Sequence, residues 1–420
     1  MDKKKLLTAC VLGACVTLQS LCAAGTQETE QKVVGKPSGT INFYYWDTNQ
    51  TEAMNDLIAL FNKQYPDITV VPTTIPSGEY WTKLKTALAT GTGPDVFWMN
   101  MTVPDYINAK LLYDMTDRIK QDGVDMSKFP KLLRDLYSKD GHIYGMPKDY
   151  DGIGLFYNKE IFDEMGVAYP RDGMSWDELL DVAKKTTNAD HYGFIAQNTG
   201  NVCYQDFVYS NGGRISSADN IGCEIDEAPA IEAIQYLHDM MYVSKVSPTY
   251  AEQQEVKPND MFVGGRAAMI TAGSWKMNSF KKALGDKLGI TTMPVSKTPA
   301  ITVHGLAYCI AAKSKNLEAA WEFVKFCGTK EAQEVTAKGA IPAYEGVDQV
   351  WAASNAKYNA AKLLEGVNYP GSLGNPWWDK HYTDANTILK NAMTTIWSMS
   401  DIDIPATLSK CAADIEAVTK

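Results

Sequence analysis

Trp275 ends a segment whose residue types suit contact with a sugar ring. The segment, FVGGRAAMITAGSW (residues 262–275), combines a glycine turn, a short apolar alternation and a loop of small residues. This pattern predicts a strand that ends in a turn carrying an exposed indole. An indole face covers the apolar C–H side of a pyranose, and removing roughly 100 Å² from water at about 25 cal/mol per Å² contributes on the order of 2 kcal/mol. The alternative is a core role for Trp275, because tryptophan is highly buried on average.

Carboxylate and amide side chains elsewhere in the sequence complete the groups that a sugar site needs. Sugars present hydroxyls in fixed directions and one or two apolar faces, so a site combines hydrogen-bonding groups with rings. Each hydrogen bond to a charged group contributes about 1.5 to 3 kcal/mol, so a few of them with stacking offset the entropy of association. The candidates are Asp47, Asn49, Asn100 and Asp151 for hydrogen bonds and Trp46, Trp98 and Trp275 for stacking.

Asp149 and Asp151 are candidates for a catalytic pair, since glycosidases use a pair of carboxylates. Residues two apart on an extended segment point the same way about 7 Å apart along the chain, and the adjacent Gly152 suggests a hinge. The sequence contains no nucleophile elbow, no Ser-His-Asp spacing and no metal-binding motif. We therefore expect binding without catalysis, and we expect no cofactor and no metal.

Composition excludes a nucleic-acid partner. The 420 residues are 45% hydrophobic and 21% charged, which is typical of a globular protein of two or three domains. The net charge is −10, and no long basic run follows residue 5. Phosphate binding needs clustered lysine and arginine, so a neutral ligand fits better.

The first residues have the pattern of an export signal. Lys3, Lys4 and Lys5 precede an apolar run over residues 6–16, and Ala23-Ala24 precede a polar stretch. The run is shorter than the about 20 residues of a spanning helix. We predict a signal peptide over residues 1–24 and a flexible linker over residues 25–39. Two forms remain open: a free protein, or a lipoprotein whose modified residue is Cys15 or Cys22, each of which follows an imperfect lipobox.

Five of the eight cysteines lie beyond the signal. Cys203 and Cys223 are close enough in sequence to be bridged across a turn at Gly212-Gly213, and an exported compartment permits a disulfide. Two buried thiols are the alternative.

The chain alternates between strands and helices. Strands predicted at residues 41–46, 68–71 and 96–99, with helices between them, indicate a βαβαβ unit and an open, mostly parallel sheet. Ligands bind beyond the carboxyl ends of such strands, here near Trp46 and Asn100. Further along, Ser175 and Glu178 have capping-box spacing, residues 301–311 predict a strand, and Asn316 is expected to cap a helix.

Eight segments in order over about 300 residues resemble one family, the extracellular solute-binding proteins of ABC importers that bind sugars and oligosaccharides. The segments are INFYYW, FNKQYPDITV, YWTKLKTALATGTGPDVFWMN, YGMPKDYDGIGLFYNKEIFDEMGV with the following SWDELL, YSNGGRI, FVGGRAAMITAGSW, AAWEFVKFCGTKEAQE and IPAY.

The resemblance implies a two-lobed α/β periplasmic-binding-protein fold, with the ligand in a cleft between lobes joined by hinge-crossing strands. Lobe one would comprise residues 40–149 and 300–345, and lobe two residues 150–299 and 346–420. It implies an exported monomer, periplasmic or at the cell surface and either free or lipid-anchored, that delivers a carbohydrate to an ABC permease. The alternatives are a periplasmic glycan hydrolase and a partner that presents its ligand to a sensor or chemoreceptor.

The same resemblance implies a set of ligand-binding residues. They are Trp46, Asp47, Thr48, Asn49, Trp98, Asn100, Asp151, Tyr204, Gly273, Ser274, Trp275, His304, Trp377 and Trp378. The match around Gly273-Ser274-Trp275 favours stacking over a core role for Trp275. Whether Trp377 or Trp378 faces the cleft stays open, as do the identity and length of the sugar.

Processing of the amino terminus is directly measurable. Because of the basic residues 3–5 and the short apolar run, the protein isolated from its native membrane should lack at least its first 14 residues. Intact-mass spectrometry decides the matter. An unprocessed Met1 would contradict export, and an unmodified Gly25 terminus would contradict lipid attachment.

Overall fold

The computed structural model describes residues 36–376, 378 and 381–420, and residues 37–420 form one compact unit. The predicted signal peptide and nearly all of the predicted linker lie outside the described residues, as does Trp377.

Fourteen strands occur in the described part of the chain. They are β1 (Gly39–Tyr45), β2 (Ile68–Thr74), β3 (Val96–Met99), β4 (Ser138–Lys139), β5 (His142–Ile143), β6 (Met146–Tyr150), β7 (Ile153–Asn158), β8 (Tyr192–Ile195), β9 (Ala267–Gly273), β10 (Leu288–Thr291), β11 (Thr302–Val303), β12 (Gly305–Ile310), β13 (Ile341–Pro342) and β14 (Leu373–Gly374).

Eighteen α-helices occur in the same residues. They are α1 (Thr51–Gln64), α2 (Ser77–Thr90), α3 (Val103–Asn108), α4 (Thr116–Gln121), α5 (Lys131–Leu136), α6 (Lys159–Met165), α7 (Trp176–Lys185), α8 (Tyr204–Ser210), α9 (Ala228–Tyr242), α10 (Tyr250–Glu255), α11 (Pro258–Val263), α12 (Met277–Leu284), α13 (Leu317–Cys327), α14 (Lys330–Thr336), α15 (Asp348–Ser354), α16 (Lys362–Glu365), α17 (Tyr382–Ser398) and α18 (Ile404–Thr419).

The larger sheet has the strand order β13, β6, β12, β3, β1, β2 in the residues described. β1 is parallel to β2 and β3, as the βαβαβ pattern predicts. β12 lies antiparallel between β3 and β6, so the sheet is more mixed than expected. Because β12 is antiparallel to both neighbours, β3 and β6 run in the same direction. The carboxyl ends of β1, β3 and β6 therefore share one edge.

The smaller sheet has the order β10, β7, β9, β8 among the described strands. β7 is antiparallel to β9, with Ile153 opposite Gly273, so the carboxyl end of β9 lies where β7 begins. β8 is parallel to β9. The carboxyl ends of β8 and β9 thus lie at the edge where the chain enters this sheet.

The two sheets are joined where strands follow one another almost directly. Only Asp151 and Gly152 separate β6 of the larger sheet from β7 of the smaller one. The return passes through β11 and then β12, with His304 as the single residue between them. The strand predicted over residues 301–311 is therefore two strands, interrupted at His304. The lobe boundaries stay a prediction.

Packing on both faces explains why β3 is apolar throughout. Alternate residues of a strand point to opposite faces. Trp98 accordingly packs with Phe43 and Tyr45 on one face of the sheet. Phe97 lies on the other face, in a second cluster of buried apolar residues that includes Tyr80. All four residues of β3 are buried, as expected for a strand covered by helices on both sides.

Two expectations about local structure have different outcomes. The capping box at Ser175 and Glu178 is confirmed, with both reciprocal bonds present at the start of α7. Asn316 precedes α13 but its side chain does not cap the helix. Its amide donates instead to Asp95 at 3.3 Å.

The suggested disulfide between Cys203 and Cys223 is absent, because both residues are free, buried thiols. Cys203 is enclosed at the start of α8, and Cys223 lies opposite Ser216. Burial raises the pKa of each thiol to about 12, which disfavours the thiolate that disulfide formation needs.

A glycine at the return crossing should be required for stability. A Cβ added at Gly305 would lie 2.1 Å from the carbonyl oxygen of Asp149, whereas one added at Gly78 in α2 meets nothing within 4 Å. We expect Gly305→Ala to lose about 1–3 kcal/mol of unfolding free energy through overpacking. Gly78→Ala should be neutral or gain up to about 1 kcal/mol. Denaturant unfolding measures both, and equal stability of the two variants would contradict the close contact.

Candidate ligand-binding site

The candidate site lies where the strand ends of the two sheets meet. Trp46, Asn100 and Asp151 directly follow β1, β3 and β6 at the shared edge of the larger sheet. Trp275 follows β9 of the smaller sheet, at the point where the chain enters that sheet. Main-chain geometry thus places predicted site residues of both sheets at one junction.

Asp151 and His304 join the two crossings. The backbone N–H of Asp151 donates to the carbonyl oxygen of His304 at 2.8 Å. The imidazole Nδ1 lies 2.6 Å from Asp151 Oδ2. Burial acts to lower the pKa of His304, but the Asp151 carboxylate outweighs this effect and the pKa lies above its usual value. The pair is therefore an ion pair or a strong hydrogen bond within the junction.

The Gly273-Ser274-Trp275 segment holds its indole against the backbone. A Cβ at Gly273 would lie 1.8 Å from a ring carbon of Trp275, so any other residue there would displace the ring. Ser274 is buried, and its N–H donates to the carbonyl of Gly152 at 2.8 Å. Its hydroxyl accepts the N–H of Gly152 at 3.3 Å. Ser274 thus ties the loop to the crossing, and Trp275 is left half-buried.

The loop after β1 is held by a chain of polar contacts from the protein interior. Asp47 accepts the backbone N–H of Asn49 at 3.0 Å and the amide of Gln50 at 3.2 Å. The ammonium of Lys148 donates to Gln50 at 2.7 Å and also to Asp149. Lys148 is wholly buried although it carries a charge, which is costly unless the charge is paired. Lys148 binds Gln50, and Gln50 in turn donates to Asp47, so this chain of contacts holds Asp47 at the edge of the larger sheet.

Lys148 also lies over an aromatic ring. Its Nζ is 4.3 Å from the ring centroid of Trp98, within the range of a cation–π interaction. Asn100, two residues further on, accepts the N–H and the hydroxyl of Thr102 at 3.0 and 2.9 Å. Those bonds occupy its amide oxygen and leave the NH₂ group as the donor.

Further polar groups near the junction come from α8, from the segment before it and from β11. Asn201 Nδ2 lies 2.6 Å from His304 Nε2. Asp206 accepts the N–H of Thr302 at 2.5 Å, and burial raises the pKa of its carboxyl to about 7. No partner is found within the described residues for Asp206 Oδ2, Gln205 Oε1, Thr271 Oγ1 or Thr302 Oγ1.

Some predicted site residues lie in the protein core. Trp98 and Trp378 are wholly buried, and Tyr204 is nearly so. Trp98 packs inside the larger sheet's core, and Trp378 donates its N–H to Gly222 at 3.2 Å. As placed, these three residues offer no surface to a ligand. Trp377 lies outside the described residues, and Thr48 and Asn49 are exposed on the loop after β1.

Three residues of the junction were not among the predicted contacts. They are Lys148, Asn201 and Asp206. Lys148 and Asp206 contact residues about a hundred positions away, so no local spacing indicates them. The sequence offered one signal for Lys148, namely its position directly before Asp149 in the run KDYD (residues 148–151).

Comparison with known proteins assigns the chain to a family. The family model described as bacterial extracellular solute-binding protein matches residues 56–366, nearly three quarters of the chain. The chain belongs to this family.

One solved structure and two curated proteins are similar to most of the chain. A crystallised ABC substrate-binding protein from Listeria monocytogenes in complex with cycloalternan matches with a TM-score of 0.83 at 26% identity, covering 90% of this chain and 98% of that chain. The galactooligosaccharide-binding protein of Bacillus subtilis (strain 168) is 26% identical over 346 residues, which are 79% of this chain and 78% of that protein. The multiple sugar-binding protein of Streptococcus mutans is 26% identical over 360 residues, with shares of 78% and 77%.

These comparisons confirm the predicted family resemblance and the two-lobed α/β fold. An extracellular solute-binding protein is exported, in agreement with the predicted signal. Within the described residues no helix is both long and apolar enough to cross a bilayer.

The buried carboxyl of Asp206 should give a specific pH dependence. Because its pKa is raised in the folded protein, its contribution to stability is lost as the pH rises from about 4 to about 7. Asp206→Asn keeps an acceptor for Thr302, so its gain in unfolding free energy over the wild type should grow across that window. The gain should level off above pH 7, on the order of 4 kcal/mol for a shift of about three pKa units.

Asp219 is the matched control, since its exposed carboxylate accepts the Ser217 hydroxyl, which lowers its pKa. Asp219→Asn should lose an amount of stability that stays constant above about pH 4, because this carboxylate is ionised there in both the folded and the unfolded protein. Denaturant unfolding between pH 4 and pH 8 compares the two. A pH-independent difference for Asp206→Asn would show that this carboxyl is ionised in the folded protein.

Proposed function

We propose that the protein captures a carbohydrate at the junction of its two sheets and delivers it to the membrane permease of an ABC importer. The ligand lies between the lobes, and closure of the lobes covers it from both sides, as in the hinge motion of periplasmic binding proteins. The exported protein acts as a monomer, either free or attached to the membrane through a lipid on Cys15 or Cys22.

One observation carries this proposal: the half-buried indole of Trp275 and the carboxylate of Asp151 both contact His304. The ring centroids of Trp275 and His304 are 5.3 Å apart, and Asp151 is bonded to the same imidazole. A flat apolar surface and a hydrogen-bond acceptor are therefore held close together. That combination matches the apolar face and the hydroxyls of a sugar.

The family and its named members support the choice of ligand class. One relative is named for galactooligosaccharides, another for multiple sugars, and the Listeria structure holds cycloalternan. The binding candidates around the junction include Trp46, Asp47, Asn100, Asp151 and Trp275. None of the predicted contacts is a lysine or arginine, which favours a neutral sugar over a sugar phosphate.

The contacts of the two carboxylates favour binding over hydrolysis. Asp149 accepts from Lys148 and from the N–H of Leu306 at 2.8 Å, inside the larger sheet. Asp151 is bonded to His304. A glycosidase needs two carboxyl groups that flank the scissile bond, and here one of the two is enclosed and engaged. We infer that the ligand is released unchanged.

A thermal-shift screen tests the proposal. The mature protein is screened against mono- and disaccharides, galactooligosaccharides and cyclic glucans, with their polyol analogues as controls. A ligand at a hundred times its dissociation constant should add about 2.7 kcal/mol of stability. A panel in which no carbohydrate raises the melting temperature would contradict the proposal, as would hydrolysis of the bound sugar by the pure protein.

Replacement of Trp275 should weaken binding more than folding. Trp275→Ala removes the stacking surface, so the dissociation constant of the sugar found in the screen should rise about 30-fold to 1,000-fold, which is roughly 2 to 4 kcal/mol. Trp176→Ala is the control, because Trp176 is also half-buried in the second lobe but stacks on Tyr236 in the helical layer.

Calorimetry and melting temperatures are measured on both variants. Trp176→Ala should leave the affinity within about threefold, a change of roughly 0.6 kcal/mol. A Trp275→Ala protein that is strongly destabilised but keeps its affinity in the folded fraction would assign Trp275 to the core.

A further inference from the structure

His304 contacts the proposed ligand groups of both lobes. It is the single residue between β11 and β12, and its carbonyl accepts the backbone N–H of Asp151. Its ring faces the Asp151 carboxylate through Nδ1 and the Trp275 ring at a centroid distance of 5.3 Å and an angle of 55°. One side chain thus joins the carboxylate, the indole and the crossing strands.

Both nitrogens of the imidazole are already engaged. Nδ1 lies 2.6 Å from Asp151 Oδ2, and Nε2 lies 2.6 Å from the side-chain nitrogen of Asn201. The residue is 6% exposed. The ring therefore offers a ligand neither a free nitrogen nor an open face.

We propose that His304 is a positioning residue, which fixes Asp151 and Trp275 for the carbohydrate and does not itself bind it. This inference rests on the function proposed for the junction. It revises the sequence-based expectation that His304 contacts the ligand.

The need for such a residue follows from the position of Asp151. The carboxylate lies on a two-residue connection next to Gly152, where a Cβ would come 2.3 Å from the carbonyl oxygen of Leu363. A bond from Nδ1–H to Oδ2 selects one rotamer and leaves Oδ1 to accept a hydroxyl from a fixed direction. Preorganisation of this kind lowers the entropy lost on binding.

Charged groups from several elements face the imidazole. Asp151 is on the crossing, Asp149 and its partner Lys148 are on β6, and Asp206 is on α8. Burial acts against protonation, but the carboxylates of Asp151, Asp206 and Asp149 raise the pKa of His304 above its usual value. An imidazolium holds Asp151 more strongly than a neutral ring does, and it attracts the indole face. Positioning should thus be complete below this pKa and weaken as the pH rises through it.

The protonation state also sets the orientation of Asn201. A neutral ring that donates from Nδ1 accepts at Nε2 from the Asn201 NH₂ group. An imidazolium donates from Nε2, so the amide must turn its oxygen toward the ring. Asn201 accommodates both forms by rotation of its amide.

Three variants separate positioning from general packing. His304→Ala removes both ring contacts. His304→Asn keeps an N–H near the place of Nδ1 and removes the titratable group. His191→Asn is the matched control, because His191 is also buried and bonded through Nδ1, to the carbonyl of Thr186 at 2.8 Å, away from the junction.

The affinity for the sugar found in the screen is measured by calorimetry between pH 5 and pH 9, together with melting temperatures. We expect His304→Ala to weaken binding at least 30-fold and His304→Asn to restore it to within about fivefold of the wild type. The affinity of the wild type for the sugar should decrease as the pH rises, whereas the affinity of His304→Asn should not depend on pH. The affinity of Asp206→Asn should still decrease with rising pH, which shows that the effect comes from His304 and not from that neighbouring carboxyl.

A second measurement needs no ligand. In protein labelled with ¹⁵N at histidine and tryptophan, the Trp275 indole signal should shift with the titration of His304. The shift should vanish in His304→Asn and persist in His191→Asn. The Nδ1–H signal of His304 should be protected from exchange in the wild type and lost in Asp151→Asn.

The outcomes of the two measurements are distinguishable. If the wild type binds no carbohydrate, the proposed function is contradicted, while the NMR titration still decides whether His304 fixes Asp151 and Trp275. If the wild type binds sugar and His304→Ala binds equally well, positioning by His304 is overturned. Equal losses of affinity in the His304 and His191 variants would also overturn it. Binding that stays independent of pH while the NMR signals show that His304 titrates would overturn the role given to its protonation.

Discussion

The protein is organised by the way the chain passes between its two sheets. The connection from the larger to the smaller sheet consists of two residues, Asp151 and Gly152. Where the chain returns to the larger sheet, His304 alone separates β11 from β12. The two crossings are bonded to each other through the backbone and through the side chains of Asp151 and His304. Because these connections are short and bonded together, the strand ends on either side have a defined separation and direction. Residues that follow those strand ends must meet at the junction, whichever ligand they have evolved to hold.

Burial of charge at this junction has a cost that the surrounding contacts offset. Lys148 is enclosed with Asp149, Gln50 and the Trp98 ring, and His304 is enclosed with Asp151 and Asn201. Removing one partner of such a pair leaves an uncompensated buried charge, typically a loss of about 3–5 kcal/mol. The polar interior therefore makes the position of the strand ends specific, at the expense of some stability. A binding site that must close on a small polar molecule needs that precision more than it needs maximal stability.

Local patterns in the sequence were enough to predict the elements and part of the site. The alternation of β1, α1 and β2, the capping box at Ser175, and the loop ending at Trp275 depend on neighbouring residues, so spacing reveals them. Trp98 shows the limit, because helices cover both faces of β3 and an aromatic residue near a strand end is buried there. Asn201 and Lys148 show a second limit, since their partners lie about a hundred residues away and come together only when the sheets are assembled. The break at His304 was not predicted either, because strand-favouring residues lie on both sides of His304 and Gly305 and the segment 301–311 was taken as one strand.

The central claim is that one carbohydrate is held by Trp275 and Asp151 at the junction, with His304 behind them. A crystal structure of the protein with the sugar selected by the stability screen tests it most directly. The account predicts a sugar ring against the indole of Trp275, a hydroxyl bonded to Asp151 Oδ1, and His304 still bonded to Asp151 and Asn201. A sugar bound away from the junction, or bonded directly to a nitrogen of His304, would contradict it.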